Sequence, residues 1–152
     1  RRVLFRSHVI GNHSYSHNYK FIYGSKEAFR ADLLKADKFL LDNFQYRPVL
    51  YRFPGGTAGR PKALIADRAA ILEDEGYTYF DWNSYNGDCK PIEEANNPLF
   101  LTKSVLNYTK GKDRLIVLMH DASAKHATTK ALPKIIEGLI NQGYSFDVLT
   151  NY

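Results

Sequence analysis

Apolar and polar residues along this chain follow helical spacing in some stretches and strand-like runs in others. After Ser25, a residue type that often caps a helix, apolar side chains recur every three or four residues up to Phe44, which predicts an amphipathic helix. Three more helices are predicted over residues 62–75, 98–108 and 128–141. Runs rich in β-branched, aromatic and other apolar residues predict strands over 48–53, 77–83, 114–120 and 144–149, after a lead-in at 9–12. Strands separated by helices of ten or more residues predict an α/β fold with a parallel sheet, either open or closed as a barrel.

Composition and charge narrow the class of protein. The 152 residues are 44% hydrophobic and 24% charged, which is typical of a folded chain, and this length favours one domain with one core. No apolar run approaches the roughly 20 residues of a membrane span, so none is predicted in this segment. The net charge is +5 but the basic residues are scattered. This distribution argues against a nucleic-acid-binding face and is compatible with an anionic polymer or surface.

The cysteine count and the start of the chain add two limits. Cys89 is the single cysteine, which excludes an intrachain disulfide framework and a zinc site built from cysteines. The chain opens with Arg1 and Arg2, without Met and without the apolar segment of a signal peptide. Such a start is typical of a processed or shortened product. The two alternatives for residues 1–7 are native sequence and residues added to it.

Two histidines follow the lead-in at residues 9–12, which is the first strand-like segment of the chain. Parallel α/β folds place their chemistry at the ends of such segments. His13 and His17 are four residues apart, and two imidazoles at this spacing can reach one metal ion such as zinc. A third ligand, expected to be a carboxylate, has to come from elsewhere in the fold. The alternative is that both histidines are turn residues bonded to the backbone. His8 and His126 are expected at the surface.

Polar groups also lie at the ends of the strands predicted over 48–53 and 77–83. Arg52 precedes a Pro54-Gly55 turn, where an arginine can hold a carboxylate and the Gly55 amide can face a developing oxyanion. The alternative is an ordinary turn with a surface arginine. Asp81 and Trp82 can supply a carboxylate that orients and charges a histidine and an aromatic wall for a sugar. Alternatively, they are a capping carboxylate beside a buried aromatic ring.

His120 is the last residue of the predicted strand over 114–120, which is the most apolar of the set. An imidazole at the end of such a strand can act as a general acid if a carboxylate such as Asp81 keeps it protonated. The alternative is a core histidine with its hydrogen bonds satisfied.

Taken in order, these motifs resemble the polysaccharide deacetylases, also called the NodB-homology domain or carbohydrate esterase family 4. The second to fifth family motifs match residues 13–17, 52–55, 81–82 and 118–120, across essentially the whole chain. The resemblance implies a distorted (β/α) barrel that removes N-acetyl groups from N-acetylglucosamine-containing polysaccharides. The stretch from Asp81 to Asn83 is similar to that of bacterial peptidoglycan deacetylases, which implies peptidoglycan as substrate and an extracellular or cell-surface location.

The resemblance also implies a role for each matching residue. His13 and His17 would bind a divalent metal, zinc or cobalt, and His120 would be the general acid that protonates the leaving amine. Asp81 would tune His120, and Arg52 would orient the catalytic base.

Four further positions would shape the substrate groove. By the same resemblance, Leu118 would line the pocket for the acetyl methyl group and Trp82 would line the groove. The amide of Gly55, which follows Pro54, would help to stabilise the oxyanion of the tetrahedral intermediate. Water would attack the amide carbonyl with assistance from the metal.

The chain departs from the family at its first motif. That motif, a Thr-Phe-Asp-Asp run, supplies the base and the third metal ligand, and no Asp-Asp pair occurs in this chain. We therefore interpret residues 1–152 as a deacetylase catalytic domain that lacks its N-terminal βα units and has little activity as given. The second hypothesis is a non-catalytic carbohydrate-binding or metal-binding domain of the same fold.

Overall fold

The computed structural model describes residues 8–150, and these residues divide into two compact units. One unit runs to Asp81 and takes in the residues from Val148 onward, and the other spans Trp82–Asp147. Each unit has its own cluster of buried hydrophobic side chains, where the sequence predicted one core. The expectation for residues 1–7 lies outside the described residues. The assignment of residues 1–152 to one catalytic domain stays a prediction.

The first unit is built from helices and one small parallel sheet. Strands β1 (Leu50–Tyr51) and β2 (Thr78–Tyr79) pair in parallel, and Asn12 forms a parallel bridge with Tyr51. The helices of this unit are α1 (Tyr19–Ile22), α2 (Lys26–Phe44) and α3 (Lys62–Asp74).

Helix α2 forms as its sequence predicts. Ser25 caps it, with its hydroxyl oxygen accepting a hydrogen bond from the Ala28 amide at 3.1 Å. The predicted apolar stripe buries Phe29 and Leu33, and the Phe29 ring stacks on Phe53 at a centroid distance of 5.9 Å. Burial of each such side chain contributes about 1.5–3 kcal/mol, which fixes α2 against the segment that follows β1.

The second unit contains a separate parallel pair of strands, β3 (Ser84–Tyr85) and β4 (Val117–Leu118). Its helices are α4 (Ile92–Ala95), α5 (Pro98–Asn107) and α6 (His126–Asn141). Helices α5 and α6 supply the buried residues of this core, among them Leu101, Val105, Ala131 and Ile135. This packing holds the segment after β4 in place.

The structure confirms the four predicted helices to within two residues at each end. The strands are shorter than predicted, and residues 144–149 form no strand among the described residues, so that prediction was wrong. The Tyr144 hydroxyl donates to the carbonyl oxygens of Thr109 and Lys112, while residues 145–148 are exposed.

The described strands support the α/β class with parallel pairing. They form two two-stranded sheets, so the closed barrel stays an expectation. None of the helices in this part of the chain has the length and apolar character that crossing a bilayer needs.

Candidate active site

His13 and His17 lie together on the loop that follows the Asn12 bridge to β1. The Nδ1 atom of His13 lies 2.7 Å from the carbonyl oxygen of Arg52. Because a carbonyl oxygen only accepts, Nδ1 carries the proton and Nε2 is the nitrogen with a lone pair. The two imidazole centroids are 5.1 Å apart and both side chains are exposed. The pair therefore fits a shared metal ion.

The backbone of this loop is held in an uncommon conformation by a buried carboxylate. Ser14 and His17 have positive φ values of 76° and 50°, which non-glycine residues rarely adopt. Asp32 on α2, only 3% exposed, accepts hydrogen bonds from the Ser14 hydroxyl at 2.5 Å, the Tyr15 amide at 2.8 Å and the Ser16 amide at 3.0 Å. Burial alone raises the pKa of Asp32, but these hydrogen bonds outweigh it and leave the pKa below its usual value.

Asp32 was not predicted as a functional residue, although one signal was present in the sequence. A carboxylate at this position lies on the buried face of α2 between Phe29 and Leu33. A charged residue on such a face needs partners, since burying it unpaired is costly. The loop amides and the Ser14 hydroxyl are those partners.

A divalent ion such as zinc or cobalt would be held here by His13 and His17. Among the described residues, no further His, Cys, Asp or Glu joins this pair to form a group of three. This agrees with the expectation that a third ligand comes from elsewhere. The metal roles of both residues stay predictions.

Arg52 and Asp81 are both partly buried in the first unit. The Nε of Arg52 donates to the Phe80 carbonyl oxygen at 3.4 Å. Burial lowers the pKa of Arg52, and the nearby Asp81 carboxylate opposes this effect. Asp81 accepts hydrogen bonds from the Thr57 amide at 3.0 Å and from the Thr57 hydroxyl. Arg52 is therefore not the surface arginine of an ordinary turn.

The turn after Arg52 requires glycine at its exposed corner. Gly55 has a φ of 74°, and a Cβ there would lie 2.8 Å from a Tyr19 ring carbon and 3.0 Å from the Arg60 guanidinium. The carbonyl oxygen of the buried Pro54 accepts from the Tyr23 hydroxyl at 2.8 Å and from Arg60 at 3.0 Å. The oxyanion role of the Gly55 amide stays a prediction.

His120 follows β4 in the second unit, and its side chain is 43% exposed, so it is not a core histidine. Its Nδ1 lies 2.8 Å from Oδ1 of the buried Asp88. Oδ2 of Asp88 accepts from the His120 amide at 2.8 Å and from the Thr128 hydroxyl at 3.0 Å. Burial raises the pKa of Asp88, but these hydrogen bonds outweigh it and bring the pKa below its usual value.

The carboxylate bonded to His120 is thus Asp88, whereas the sequence analysis named Asp81 for that role. Asp81 instead accepts hydrogen bonds from Thr57. Asp88 was missed because β3 was not predicted. With β3 ending at Tyr85, Asp88 lies just beyond a strand end, where a functional carboxylate is expected.

The second unit also contains Leu118 and Trp82, which were predicted to bind substrate, and the cysteine Cys89. Leu118, on β4, pairs with Tyr85 on β3 and is half-buried, as is Trp82. Their roles in substrate binding stay predictions. Cys89 is exposed, with its Sγ 3.4 Å from Nδ1 of His120, and partial burial together with the Asp88 charge raises the pKa of its thiol.

Comparison with protein families supplies the decisive observation. The polysaccharide deacetylase family model matches residues 1–79, just over half of the 152 residues. The chain belongs to the polysaccharide deacetylase family.

Individual polysaccharide deacetylases agree with this membership. A peptidoglycan-N-acetylglucosamine deacetylase of Bacillus cereus is 33% identical over 149 residues, which cover 96% of this chain and 63% of that protein. The structure of a Streptococcus mutans CE4 esterase matches with a TM-score of 0.81 and 26% identity, covering 92% of this chain and 62% of the other. A CE4 family pseudoenzyme from Bacillus anthracis matches with a TM-score of 0.73 and 26% identity, covering 91% and 44%.

The chain spans about half to two thirds of the length of the first curated relatives that it matches, 51% of one and 63% of another.

Proposed function

We propose that the protein is a metal-dependent hydrolase that removes N-acetyl groups from N-acetylglucosamine-containing polysaccharide, with peptidoglycan as substrate, outside the cell or at its surface. The observation that carries this proposal is the His120 imidazole, which is bonded at Nδ1 to a buried carboxylate and is 43% exposed. The family membership and the peptidoglycan deacetylase relatives support the same reaction class.

His120 acts as the general acid. The Asp88 carboxylate at Nδ1 fixes the orientation of the ring, so Nε2–H can donate its proton to the leaving nitrogen. Cleavage of the C–N bond then releases acetate and leaves a free amine on the sugar. Leu118 contacts the acetyl methyl group, and Trp82 contacts the sugar.

The first unit holds the other groups to which the family resemblance gives a role. His13 and His17 bind the divalent metal, which when bound polarises the carbonyl and activates water. The Gly55 amide donates to the developing oxyanion, and the half-buried Arg52 orients the base. The family assigns the base and the third ligand to an Asp-Asp motif that is not in this sequence. We therefore expect the 152-residue chain alone to release little acetate and to bind zinc weakly.

One comparison favours a second candidate function, a carbohydrate-binding domain without catalysis. The similarity to the Bacillus anthracis pseudoenzyme supports it. In that case His13, His17 and the groove residues bind metal or polysaccharide, and no amide bond is cleaved.

Acetate release by the full-length protein separates the two functions. Purified peptidoglycan and chitooligosaccharides serve as substrates, with added zinc or cobalt. We expect acetate from the wild type, a large loss in His120→Ala, and no change in His126→Ala, an exposed histidine at the start of α6. Cosedimentation with peptidoglycan without acetate release would instead establish the binding domain.

A further inference from the structure

Tyr19 is an exposed aromatic residue of the first unit that has no part in the proposed reaction. It is the first residue of α1 and is 44% exposed. Its ring is nearly perpendicular to that of His17, with a centroid distance of 5.4 Å and an interplanar angle of 83°. It also reaches the turn after Arg52, because a Cβ at Gly55 would lie 2.8 Å from its Cε1 atom and 3.0 Å from its hydroxyl oxygen. Tyr19 therefore contacts both a proposed metal ligand and the proposed oxyanion turn.

Three tyrosines recur every four residues along this segment, and their contacts distinguish them. Tyr15 packs against Phe39 of α2, with ring centroids 6.4 Å apart. Tyr23 is half-buried, and its hydroxyl donates to the Pro54 carbonyl oxygen at 2.8 Å. The Tyr19 hydroxyl has no hydrogen-bond partner among residues 8–150. Tyr19 thus combines an unused hydroxyl with a position beside the proposed site.

The ring of Tyr19 has fixed neighbours before any ligand binds. The Arg60 guanidinium carbon lies 5.4 Å from the ring centroid of Tyr19 and 3.8 Å from that of Tyr23. Arg60 is itself attached to the turn, because its Nε donates to the Gly56 carbonyl oxygen and its Nη2 to the Pro54 carbonyl oxygen, both at 3.0 Å. A cation beside an aromatic ring attracts it, and a ring already held in place loses little conformational freedom on binding.

The exposed part of Tyr19 matches the chemistry of a sugar. A pyranose ring carries apolar C–H groups and is edged by hydroxyl groups, to which N-acetylglucosamine adds an acetamido group. Tyrosine offers an apolar ring with a polar end, and only two side-chain torsions have to be fixed when it binds. One sugar unit can therefore contact the ring and accept or donate a hydrogen bond at the hydroxyl.

We propose that Tyr19 is a sugar-binding residue of the polysaccharide site, with its ring against the C–H groups of an N-acetylglucosamine unit and its hydroxyl hydrogen-bonded to the same unit. The inference rests on the substrate class of the proposed function. It does not rest on catalysis, since a carbohydrate-binding domain would use the same contact. Gly55 makes the arrangement possible, because a side chain there would take the space of the Tyr19 ring.

Calorimetric titration of the full-length protein with chitotetraose, in the presence of a chelator, tests this contact. The chelator removes bound metal, so altered metal binding at His17 cannot mimic a lost sugar contact. We expect Tyr19→Ala to raise Kd about fivefold or more, and Tyr19→Phe, which keeps the ring, to raise it about two- to fivefold. Phe21→Ala is the matched control, because Phe21 lies on the same helix and is 48% exposed, and it should leave Kd unchanged. Circular dichroism verifies that the variants fold, and Tyr19→Phe keeps the packing of the ring.

Three results overturn the inference. They are a wild type that does not bind chitotetraose, a Tyr19→Ala variant with the wild-type Kd, and a Phe21→Ala variant that binds as weakly as Tyr19→Ala. Acetate release, measured separately without chelator, reports on the proposed function. Binding that depends on Tyr19 without any acetate release refutes the hydrolase and leaves the sugar contact standing. Acetate release together with an unchanged Kd in Tyr19→Ala refutes the sugar contact alone.

Discussion

Replacement of Asp32 by asparagine tests whether α2 holds the histidine loop, the loop that carries His13 and His17. In the wild type, one carboxylate oxygen accepts from the Ser14 hydroxyl and the Tyr15 amide, and the other accepts from the Ser16 amide. An asparagine side chain has one acceptor oxygen, so its NH₂ group faces at least one of these donors. Hydrogen bonds to a charged group contribute about 1.5–3 kcal/mol each, and a buried donor left unpaired costs about 1–3 kcal/mol.

The expected loss in the free energy of unfolding is therefore about 2–4 kcal/mol, a large share of the roughly 5–15 kcal/mol typical of a domain. Urea unfolding of the full-length protein, followed by circular dichroism, measures this loss. Zinc affinity should fall in the same variant, because the loop carrying His13 and His17 then has to be ordered when the ion binds.

The pH dependence of this loss gives a second readout. Because the pKa of Asp32 is lowered in the folded protein, its stabilisation is complete above the ordinary value of ~3.9 and is lost as the pH falls through the folded pKa. The difference between wild type and Asp32→Asn should thus be greatest near neutral pH and shrink in acid. Asp42 lies on the same helix, exposed and paired with Lys38, and Asp42→Asn should cost no more than about 0.5 kcal/mol. Equal effects of the two substitutions at neutral pH would refute the reasoning.

Three further outcomes are expected. Gly55→Ala should lower the free energy of unfolding in urea by about 1–2 kcal/mol more than Gly59→Ala does. Both glycines have positive φ, but the added Cβ meets Tyr19 only at Gly55, so equal losses would contradict this prediction. Asp88→Asn should lower kcat of the full-length enzyme about tenfold or more with KM little changed, as the imidazolium loses its counter-charge; an effect confined to KM would count against the acid role. A chelator should abolish acetate release, and zinc or cobalt should restore it; unchanged activity after chelation would argue against metal dependence.

Local patterns predicted the helices and the loops that carry the histidines. The apolar spacing after Ser25 and the caps at helix ends act within a few residues, so α2 can be predicted from the chain alone. The sequence also predicted His13, Arg52 and His120 at strand ends, and each lies within two residues of a strand or bridge, although the strands predicted over 48–53 and 114–120 included Arg52 and His120. These features depend on neighbours in sequence.

The partners of those residues depend on contacts between distant segments and were missed. Asp88 reaches His120 across 32 residues, and Asp32 reaches Ser14 across 18. The predicted strand at residues 144–149 failed for a related reason. Strand propensity is realised only when another strand pairs with the segment, and this pairing cannot be read from the residues of the segment itself.

The attachment of the histidine loop to α2 has a consequence for protein engineering. Besides Asp32, Asn12 links the two segments, because its side-chain amide donates to the Leu33 carbonyl at 3.2 Å and to Asp37 at 2.9 Å, while its oxygen accepts from the Ser14 amide at 2.9 Å. Transplanting the five-residue motif into another scaffold would leave these hydrogen bonds behind, and the left-handed backbone would relax. The segment to transplant is therefore the whole stretch of residues 12–37, because the helix holds the loop in its conformation.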